Sequence, residues 1–295
     1  MHDHHTHSHD LPAEYSSSKT FIIGIGLNLV FVLVEISVGL AYNSMALLTD
    51  AGHNASDVAS LLLSLIAFRM ATKKSTAKFT YGFKKTTILA ALANAVVLLI
   101  AIGVLGVESV TRLVKPEQVQ GGVIAWVAGL GILVNGISAF LFYRHKERDL
   151  NVKGAYLHLL ADSLVSVGVV VAGIVISYKH WYWVDPAIGL IIMIVILIST
   201  WGLLKDSFKM TIDAVPSGVE LEQIKKIILQ VAHVRQVGHV HVWPLSTTEN
   251  ALTAHVVIDD ELSFDGKLNV VKNIKHELEH HSIHHSTIEL EKIVP

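Results

Sequence analysis

Apolar residues form six long runs in the first two-thirds of the chain. These runs cover residues 20–42, 44–69, 85–112, 121–143, 154–178 and 185–204. An α-helix needs about 20 apolar residues to cross about 30 Å of hydrocarbon, at a rise of about 1.5 Å per residue. In the last run, Asp185 and Pro186 suit the N-cap and the first helical position. The pattern predicts a bundle of six membrane-spanning helices, joined by short loops.

The pattern changes after Lys205, where charged and apolar positions mix as in a small globular domain. Ser217 and Glu220 have the spacing of a capping box at the start of a first helix. Two strand-like runs, around Val242 and Val256, then alternate in polarity. A second amphipathic helix over 267–281 and a last strand over 286–293 complete the order αββαβ. This order predicts an α+β sandwich of the ferredoxin-like, or metallochaperone-like, kind.

The chain therefore divides into three predicted parts. Residues 1–19 form a His-rich tail that is expected to be disordered, 20–208 the transmembrane domain, and 209–295 a cytosolic domain. The tail is either a loose metal-collecting arm or a solubilising segment that binds metal incidentally. A domain as small as the C-terminal one can bury only a small hydrophobic core by itself, which makes dimerisation plausible.

Composition narrows the function further. Of the 295 residues, 52% are apolar and 16% are charged, the net charge is -2, and there are 18 histidines and no cysteine. Because the chain has no excess of basic residues, it has no overall positive electrostatic field that would attract nucleic acid. The lack of cysteine excludes disulfide scaffolds, zinc fingers with Cys ligands and iron–sulfur clusters. Any metal must be held by nitrogen and oxygen.

Lys and Arg residues in the loops predict the orientation in the membrane. Ten of them lie in the loops after the second and fourth runs, against three in the loops after the third and fifth. Positive loops remain in the cytosol, so both termini are expected there.

Ionisable residues inside spanning helices are the strongest pointers to function. His53 and Asp57 lie four residues apart in the second run, and His158 and Asp162 repeat that spacing in the fifth. Residues at this spacing share one face of a helix. Together the two faces offer two imidazoles and two carboxylates, a set that suits tetrahedral Zn²⁺. The alternative is a set of interhelical bonds that only hold the bundle together.

Other polar residues in the spans have weaker interpretations. Asp50 is predicted to lie outside the ligand shell or on a release path, and Glu35 either lines an ion path or bonds between helices. Interhelical hydrogen bonding is favoured for the asparagines, which are Asn28, Asn94 and Asn135. Glu108 and Arg112 are predicted to form a local pair at a helix end.

The paired H-x-x-x-D segments, the six spans and the αββαβ domain resemble the cation diffusion facilitator family, and in particular its bacterial zinc exporters. The segments 44–53, 79–82 and 239–243 also resemble family sequence. The resemblance implies a homodimer in a bacterial cytoplasmic membrane that exchanges Zn²⁺ for H⁺. It places the transport site on the same four residues. In the family, a histidine at the position of His53 is associated with a preference for Zn²⁺ over Cd²⁺.

The family resemblance implies three further features. A second zinc site, in the C-terminal domain, maps to His239, His255 and Glu291, with Glu289 nearby. Lys85 and Asp213 map to an ion pair at a dimer contact or hinge, the alternative being two unrelated charges. A loop site found in some members should be absent, because phenylalanines, Phe79 and Phe83, stand where those members have histidine.

These observations predict a proton-coupled Zn²⁺ exporter and not an enzyme. The rival within transport is an exporter of broader specificity that also moves Cd²⁺, Co²⁺ or Ni²⁺. A metal sensor without flux is a second rival. An intramembrane metallohydrolase is disfavoured, because the chain lacks an H-E-x-x-H motif and its four candidate ligands leave no position for water.

Overall fold

The computed structural model describes the backbone of residues 19–143 and 150–292. Side chains are described for 26–60, 62–63, 65–140 and 159–292. The predicted tail lies outside the described residues, apart from Lys19. The chain separates into two compact units, which draw on 1–62 with 94–201 and on 63–93 with 202–295.

In the described part of the chain, six long apolar helices account for the six apolar runs, which confirms the predicted helical bundle. They are α1 (Lys19–Ala41), α2 (Met45–Ala71), α3 (Thr86–Val114), α4 (Gly121–Tyr143), α5 (Leu150–Lys179) and α6 (Val184–Thr211). Five of them are long and apolar enough to cross a membrane, and the described part of α1 is a shorter apolar helix, Gly26–Ala41. The chain is a multi-pass membrane protein.

Glycine allows a close helix contact in the first unit, between α4 and α5. A Cβ atom on Gly121 would lie 2.3 Å from the carbonyl oxygen of Gly173, and one on Gly173 would lie 2.6 Å from the amide nitrogen of Ala125. Helices in membranes use small residues in this way to bring their backbones together. The contact fixes α5, which carries Asp162, against its neighbour.

The start of α2 is held by two side chains. Ser44 Oγ accepts a hydrogen bond from the amide of Leu47 at 3.2 Å and donates one to Asp185 Oδ1 at 2.6 Å. The other Asp185 oxygen accepts from the amide of Met45 at 2.5 Å. The prediction that Asp185 caps its own helix is therefore wrong, because α6 begins at Val184 and the carboxylate instead binds the free N–H groups of α2.

The C-terminal part has the predicted order αββαβ. Its elements are α7 (Leu221–Gln230), β1 (Val234–Pro244), β2 (Asn250–Ile258), α8 (Phe264–Glu279) and β3 (Ile283–Glu291). The strands form one sheet in the order β1-β2-β3, with β1 antiparallel and β3 parallel to the central β2.

Both helices pack on one face of this sheet. The buried core contains Ile224 and Ile228 from α7, Val270, Ile274 and Leu278 from α8, and Ala254, Val256 and Ile258 from β2. Because successive strand residues point to opposite faces, His255 lies on the face that the helices leave open. That face carries the second candidate site.

The capping box predicted at the start of α7 is wrong. Glu220 is the N-cap residue and makes no side-chain hydrogen bond to the helix. Ser217 lies in a turn, in which the amide of Val219 bonds to the carbonyl of Pro216 and Gly218 has a φ of 110°. This turn moves the helix start beyond the reach of the Ser217 hydroxyl.

Candidate metal centre

The structure brings together three of the four side chains predicted for the transport site. His53 Nε2 lies 3.3 Å from Asp162 Oδ1 and 3.8 Å from Asp57 Oδ2. One ligand atom from each residue lies within 4.8 Å of the others, which is a spacing that one metal ion can bridge. Asp162 is buried, whereas His53 and Asp57 remain partly accessible. The cluster thus joins one face of α2 to one face of α5.

His158, the fourth predicted residue, belongs to α5, but its side chain lies outside the described residues. Its backbone position is one turn before Asp162, so the two residues share a helix face. The chemistry of the three described residues is that of a borderline metal ion such as Zn²⁺, because one imidazole nitrogen is combined with carboxylate oxygens.

A second polar cluster lies next to the metal ligands. Glu35 on α1 accepts a hydrogen bond at 3.3 Å from Asn54 Nδ2, and Ser166 Oγ on α5 donates one at 3.3 Å to Asp50 Oδ2. All four side chains are buried. Asn54 and Ser166 are not among the residues predicted from the sequence. The available signal was spacing, since Asn54 follows Asp50 by one helical turn and Ser166 follows Asp162 by one turn.

Hydrogen bonding by the other intramembrane amides differs from the prediction. Asn135 is buried, yet its side-chain oxygen and nitrogen have no hydrogen-bond partner within the described ranges, and neither does Asn28 Oδ1. The interhelical bond predicted for Asn135 is therefore wrong as far as the described residues extend, whereas that of Asn28 stays a prediction, because only its Oδ1 atom is known to lack a partner there. By contrast, Glu108 accepts a hydrogen bond from Arg112 Nε at 2.8 Å, which confirms that local pair.

The second candidate site lies on the open face of the C-terminal sheet. His255 Nδ1 lies 2.6 Å from Glu291 Oε1, and His255 Nε2 lies 3.5 Å from Glu289 Oε2. The parallel register of β2 and β3 places the two glutamates beside this histidine, because His255 pairs with Glu289 and Val257 with Glu291. One ligand atom from each of the three residues lies within 4.8 Å of the others.

A β-bulge brings His239 to this cluster. The β1–β2 register shifts by one residue between Gly238 and His241, and His239 in the bulge has a φ of 47°. Bulges redirect side chains in this way. The His239 and His255 rings have their centroids 4.9 Å apart, so His239 lies against the histidine that contacts both glutamates.

The loop between α2 and α3 contacts the C-terminal sheet and its connections within the second unit. Lys85 Nζ lies 2.7 Å from Asp213 Oδ1, which confirms the predicted ion pair, here within one chain. Lys84 pairs with Glu249, and Thr87 Oγ1 accepts a hydrogen bond from the amide of Thr247 at 3.1 Å. Tyr81 stacks edge-on against His285.

Comparison with known proteins decides the family. The model of the cation efflux transmembrane domain matches residues 21–210, and that of the cation efflux protein cytoplasmic domain matches 216–293. The chain belongs to the cation diffusion facilitator family. It is a divalent metal cation efflux transporter and not an enzyme.

Several curated members of the family are similar along nearly the whole chain. The cadmium, cobalt and zinc/H⁺-K⁺ antiporter of Bacillus subtilis is 33% identical over 97% of this chain and 91% of its own length. The zinc transporter ZitB of Escherichia coli is 33% identical over 97% and 92%. The metal cation efflux protein CzcD of Cupriavidus metallidurans is 35% identical over 97% and 89%.

One solved structure, a metal-bound C-terminal domain of the CzcD transporter, is 31% identical to this member of the family. The match covers 25% of this chain and 99% of that one, with a TM-score of 0.23.

Proposed function

We propose that this protein exports Zn²⁺ from the cytosol in exchange for protons, through a site made of His53, Asp57, His158 and Asp162. The observation that carries the proposal is the position of His53 Nε2, within 4 Å of carboxylate oxygens on both α2 and α5. Two carboxylates inside an apolar bundle are costly unless a cation or a bonding partner compensates them. Zn²⁺ bound between the two helices supplies that compensation.

The same side chains explain how metal and protons exclude each other. Zn²⁺ binds the neutral imidazole and the ionised carboxylates. A protonated His53 cannot coordinate metal, and its N–H group then points at the Asp57 and Asp162 carboxylates as an ion pair. The site is therefore filled either by the metal ion or by protons. Rocking of α2 against α5 between two accessible states converts this exclusion into exchange.

Orientation and localisation follow from the loop charges. Ten Lys and Arg residues lie in the two loops proposed to face the cytosol, against three in the three outer loops. The proposed arrangement is a bacterial cytoplasmic membrane with both termini, the 1–19 tail and the 209–295 domain on the inner side. The transmembrane domain of this arrangement is 20–208.

The selectivity proposed for the transport site is Zn²⁺ before other divalent ions. Two nitrogen and two oxygen ligands suit tetrahedral Zn²⁺, whereas Mg²⁺ and Ca²⁺ prefer shells made only of oxygen. The alternative is a broader exporter, as in the relative whose name gives cadmium, cobalt and zinc. Competition between these ions in a flux assay distinguishes the two.

The C-terminal cluster is proposed as a cytosolic Zn²⁺ site that stabilises a homodimer. Its residues fit the metal, since the His255 imidazole lies close to two carboxylates and the His239 imidazole lies against the His255 ring. The bond from His255 Nδ1 to Glu291 leaves Nε2, next to Glu289, as the nitrogen that faces a metal. A carboxylate behind a metal-binding histidine orients the ring in many zinc sites. If the protein were instead a metal sensor that moves no metal, it would bind Zn²⁺ at this site and show no Zn²⁺ flux.

The test of the transport site is Zn²⁺ flux into proteoliposomes with the purified protein. Asp57→Ala and Asp162→Ala should abolish both flux and Zn²⁺ binding at the membrane site, because each removes an oxygen ligand. Asp260→Ala, a change of the same kind at an exposed loop residue, is the matched control and should behave as wild type. Full flux in either site variant would show that the assignment is wrong.

A further inference from the structure

Glu35 and Asp50 form a pair of buried carboxyl groups that the proposed metal site does not use. Glu35 is 0% exposed and Asp50 is 1% exposed. They face each other from α1 and α2, with their carboxyl groups within hydrogen-bonding reach. Their other contacts are Asn54 and Ser166, and none of these four residues is a proposed metal ligand.

Among the described residues, no Lys or Arg compensates the charge of the pair. Glu35 Oε1 and Asp50 Oδ1 are both buried and receive no hydrogen bond from any N–H or O–H group within the described part of the chain. The charged or titratable groups that act on Asp50 from its own and neighbouring helices are Glu35, His53 and Asp162. Helix α4, which packs against α1, contains no Asp, Glu, Lys, Arg or His.

A contact between two carboxyl groups is favourable only when one of them holds a proton. Two carboxylates at such a distance cannot both be ionised in an apolar environment, and they titrate as a pair. When the pair holds one proton, the O–H group of one residue donates a hydrogen bond to the carboxylate of the other. Carboxyl oxygens that otherwise have no partner are then hydrogen-bonded. Buried carboxyl groups of this kind inside a membrane are expected to be functional.

We propose that Glu35 and Asp50 form a proton-binding site, separate from the metal ligands, that releases a proton when Zn²⁺ binds and regains one when Zn²⁺ leaves. The proposal rests on the proposed function, since it concerns the protons that are exchanged for Zn²⁺. Release of the proton breaks one O–H bond and takes the pair from one negative charge to two. Uptake reverses this step, and nothing is oxidised or reduced.

The position of the pair explains its coupling to the metal. Asp50 lies on the same helix as His53, about one turn away, and Ser166, which donates to Asp50, lies one turn beyond Asp162. A divalent ion bound between His53 and Asp162 favours the ionised pair, because the interaction between charges is strong where water is excluded. By linkage, the ionised pair in turn strengthens Zn²⁺ binding by the same factor.

The test measures the protons released per Zn²⁺ bound, using full-length protein in weakly buffered detergent solution. Glu35→Gln keeps the shape of the side chain and its hydrogen bonding but cannot lose a proton. This variant should release about one proton fewer per Zn²⁺. Its association constant for Zn²⁺ should therefore rise less steeply with pH than that of the wild type, by a factor of about ten per pH unit. Glu108→Gln, the same change at an exposed residue near the end of α3, is the matched control.

Proton release equal to wild type in a folded Glu35→Gln variant would overturn the proposal, because the pair would then hold a fixed proton or none. A fall in proton release when K⁺ replaces a large organic cation would also overturn it, because K⁺ would then leave the pair in place of the proton. If the variant does not fold, infrared difference spectra of the wild type test the proposal instead. The carbonyl band of a protonated carboxyl group should disappear when Zn²⁺ is added, and its absence before addition contradicts the proposal.

Failure of this proposal can be distinguished from failure of the proposed function. Asp57→Ala tests the metal site alone, since it should abolish Zn²⁺ binding there. If Asp57→Ala binds Zn²⁺ as wild type does, the metal site itself is wrong. If it loses binding while Glu35→Gln releases protons as wild type does, only the proton site is wrong.

Discussion

Ser44 and Asp185 are far apart in sequence, yet the Ser44 hydroxyl donates a 2.6 Å hydrogen bond to the Asp185 carboxylate. Ser44 also accepts from the Leu47 amide, and Asp185 from the Met45 amide, so the two side chains together close the first turn of α2. The proposed ligands His53 and Asp57 lie two to three turns farther along this helix. The contact therefore anchors α2 to the start of α6 within the first unit.

Removal of this anchor should destabilise the bundle in proportion to the bonds that are lost. Ser44→Ala is expected to cost about 1 kcal/mol, as for other N-cap substitutions. Asp185→Ala should cost about 3 kcal/mol, because buried donors then lose a charged acceptor. Thermal unfolding of the purified protein in detergent measures both, with Asp260→Ala as the exposed control. Equal melting temperatures for wild type and Asp185→Ala would refute the anchoring role.

The ion pair between Lys85 and Asp213 should matter little for stability. Their side chains are 46% and 51% exposed, and exposed pairs contribute about 0–1 kcal/mol. Lys85→Ala should therefore unfold within that range of wild type, and Lys78→Ala in the same loop serves as the comparison. A loss of several kcal/mol would mean that the loop is held mainly by this one contact.

Acid should remove one contribution to stability at the edge of the C-terminal sheet. A hydrogen bond from Arg235, and then one from His233, lowers the pKa of Asp259 in the folded protein. This contribution is fully present above the unfolded pKa of about 4 and is lost as the pH falls through the lower, folded pKa.

The variant Asp259→Asn isolates this contribution. The melting temperature of wild type should exceed that of the variant above about pH 5, and the two values should converge as the pH falls below about 4. A difference that grows with acid would have the wrong sign for a carboxyl group whose pKa is lowered in the folded state.

The C-terminal site predicts a specific loss of bound metal. His255→Ala removes the residue that contacts both glutamates, so the protein should lose the Zn²⁺ ion proposed there and keep the membrane site. Metal content after equilibrium dialysis measures this, with the exposed His281→Ala as control. The Zn²⁺-dependent rise in melting temperature should shrink in the same variant, because a ligand bound only to the folded state stabilises it. Unchanged metal content in His255→Ala would place the zinc elsewhere.

The sequence predicted the features that depend on spacing within one element. Apolar runs located the six helices to within a few residues, except that α6 continues seven residues beyond its run, to Thr211. The four-residue spacing placed His53 and Asp57 on one face of α2. Alternation in β2 likewise placed His255 opposite the core residues Ala254 and Val256. These patterns follow from the periods of helix and strand, which a single segment reveals.

Features that depend on contacts between distant segments were not predictable in the same way. No local signal shows that Asp185 binds the start of α2, or that Glu35 meets Asp50 across two helices. The bulge that turns His239 towards His255 is likewise a property of strand pairing. The Ser217 capping box failed for a local reason, since the turn with Gly218 at positive φ competes with the helix start.

Coupled movement of metal and protons is the central claim, and proteoliposomes that contain a pH indicator test it most directly. A Zn²⁺ gradient imposed across the membrane, without K⁺, should move protons in the opposite direction, with an initial rate that rises with Zn²⁺ flux. Asp162→Ala should abolish both movements, because Asp162 faces His53 at 3.3 Å in the shared site. Zn²⁺ flux by the wild type without any change in internal pH would contradict the account.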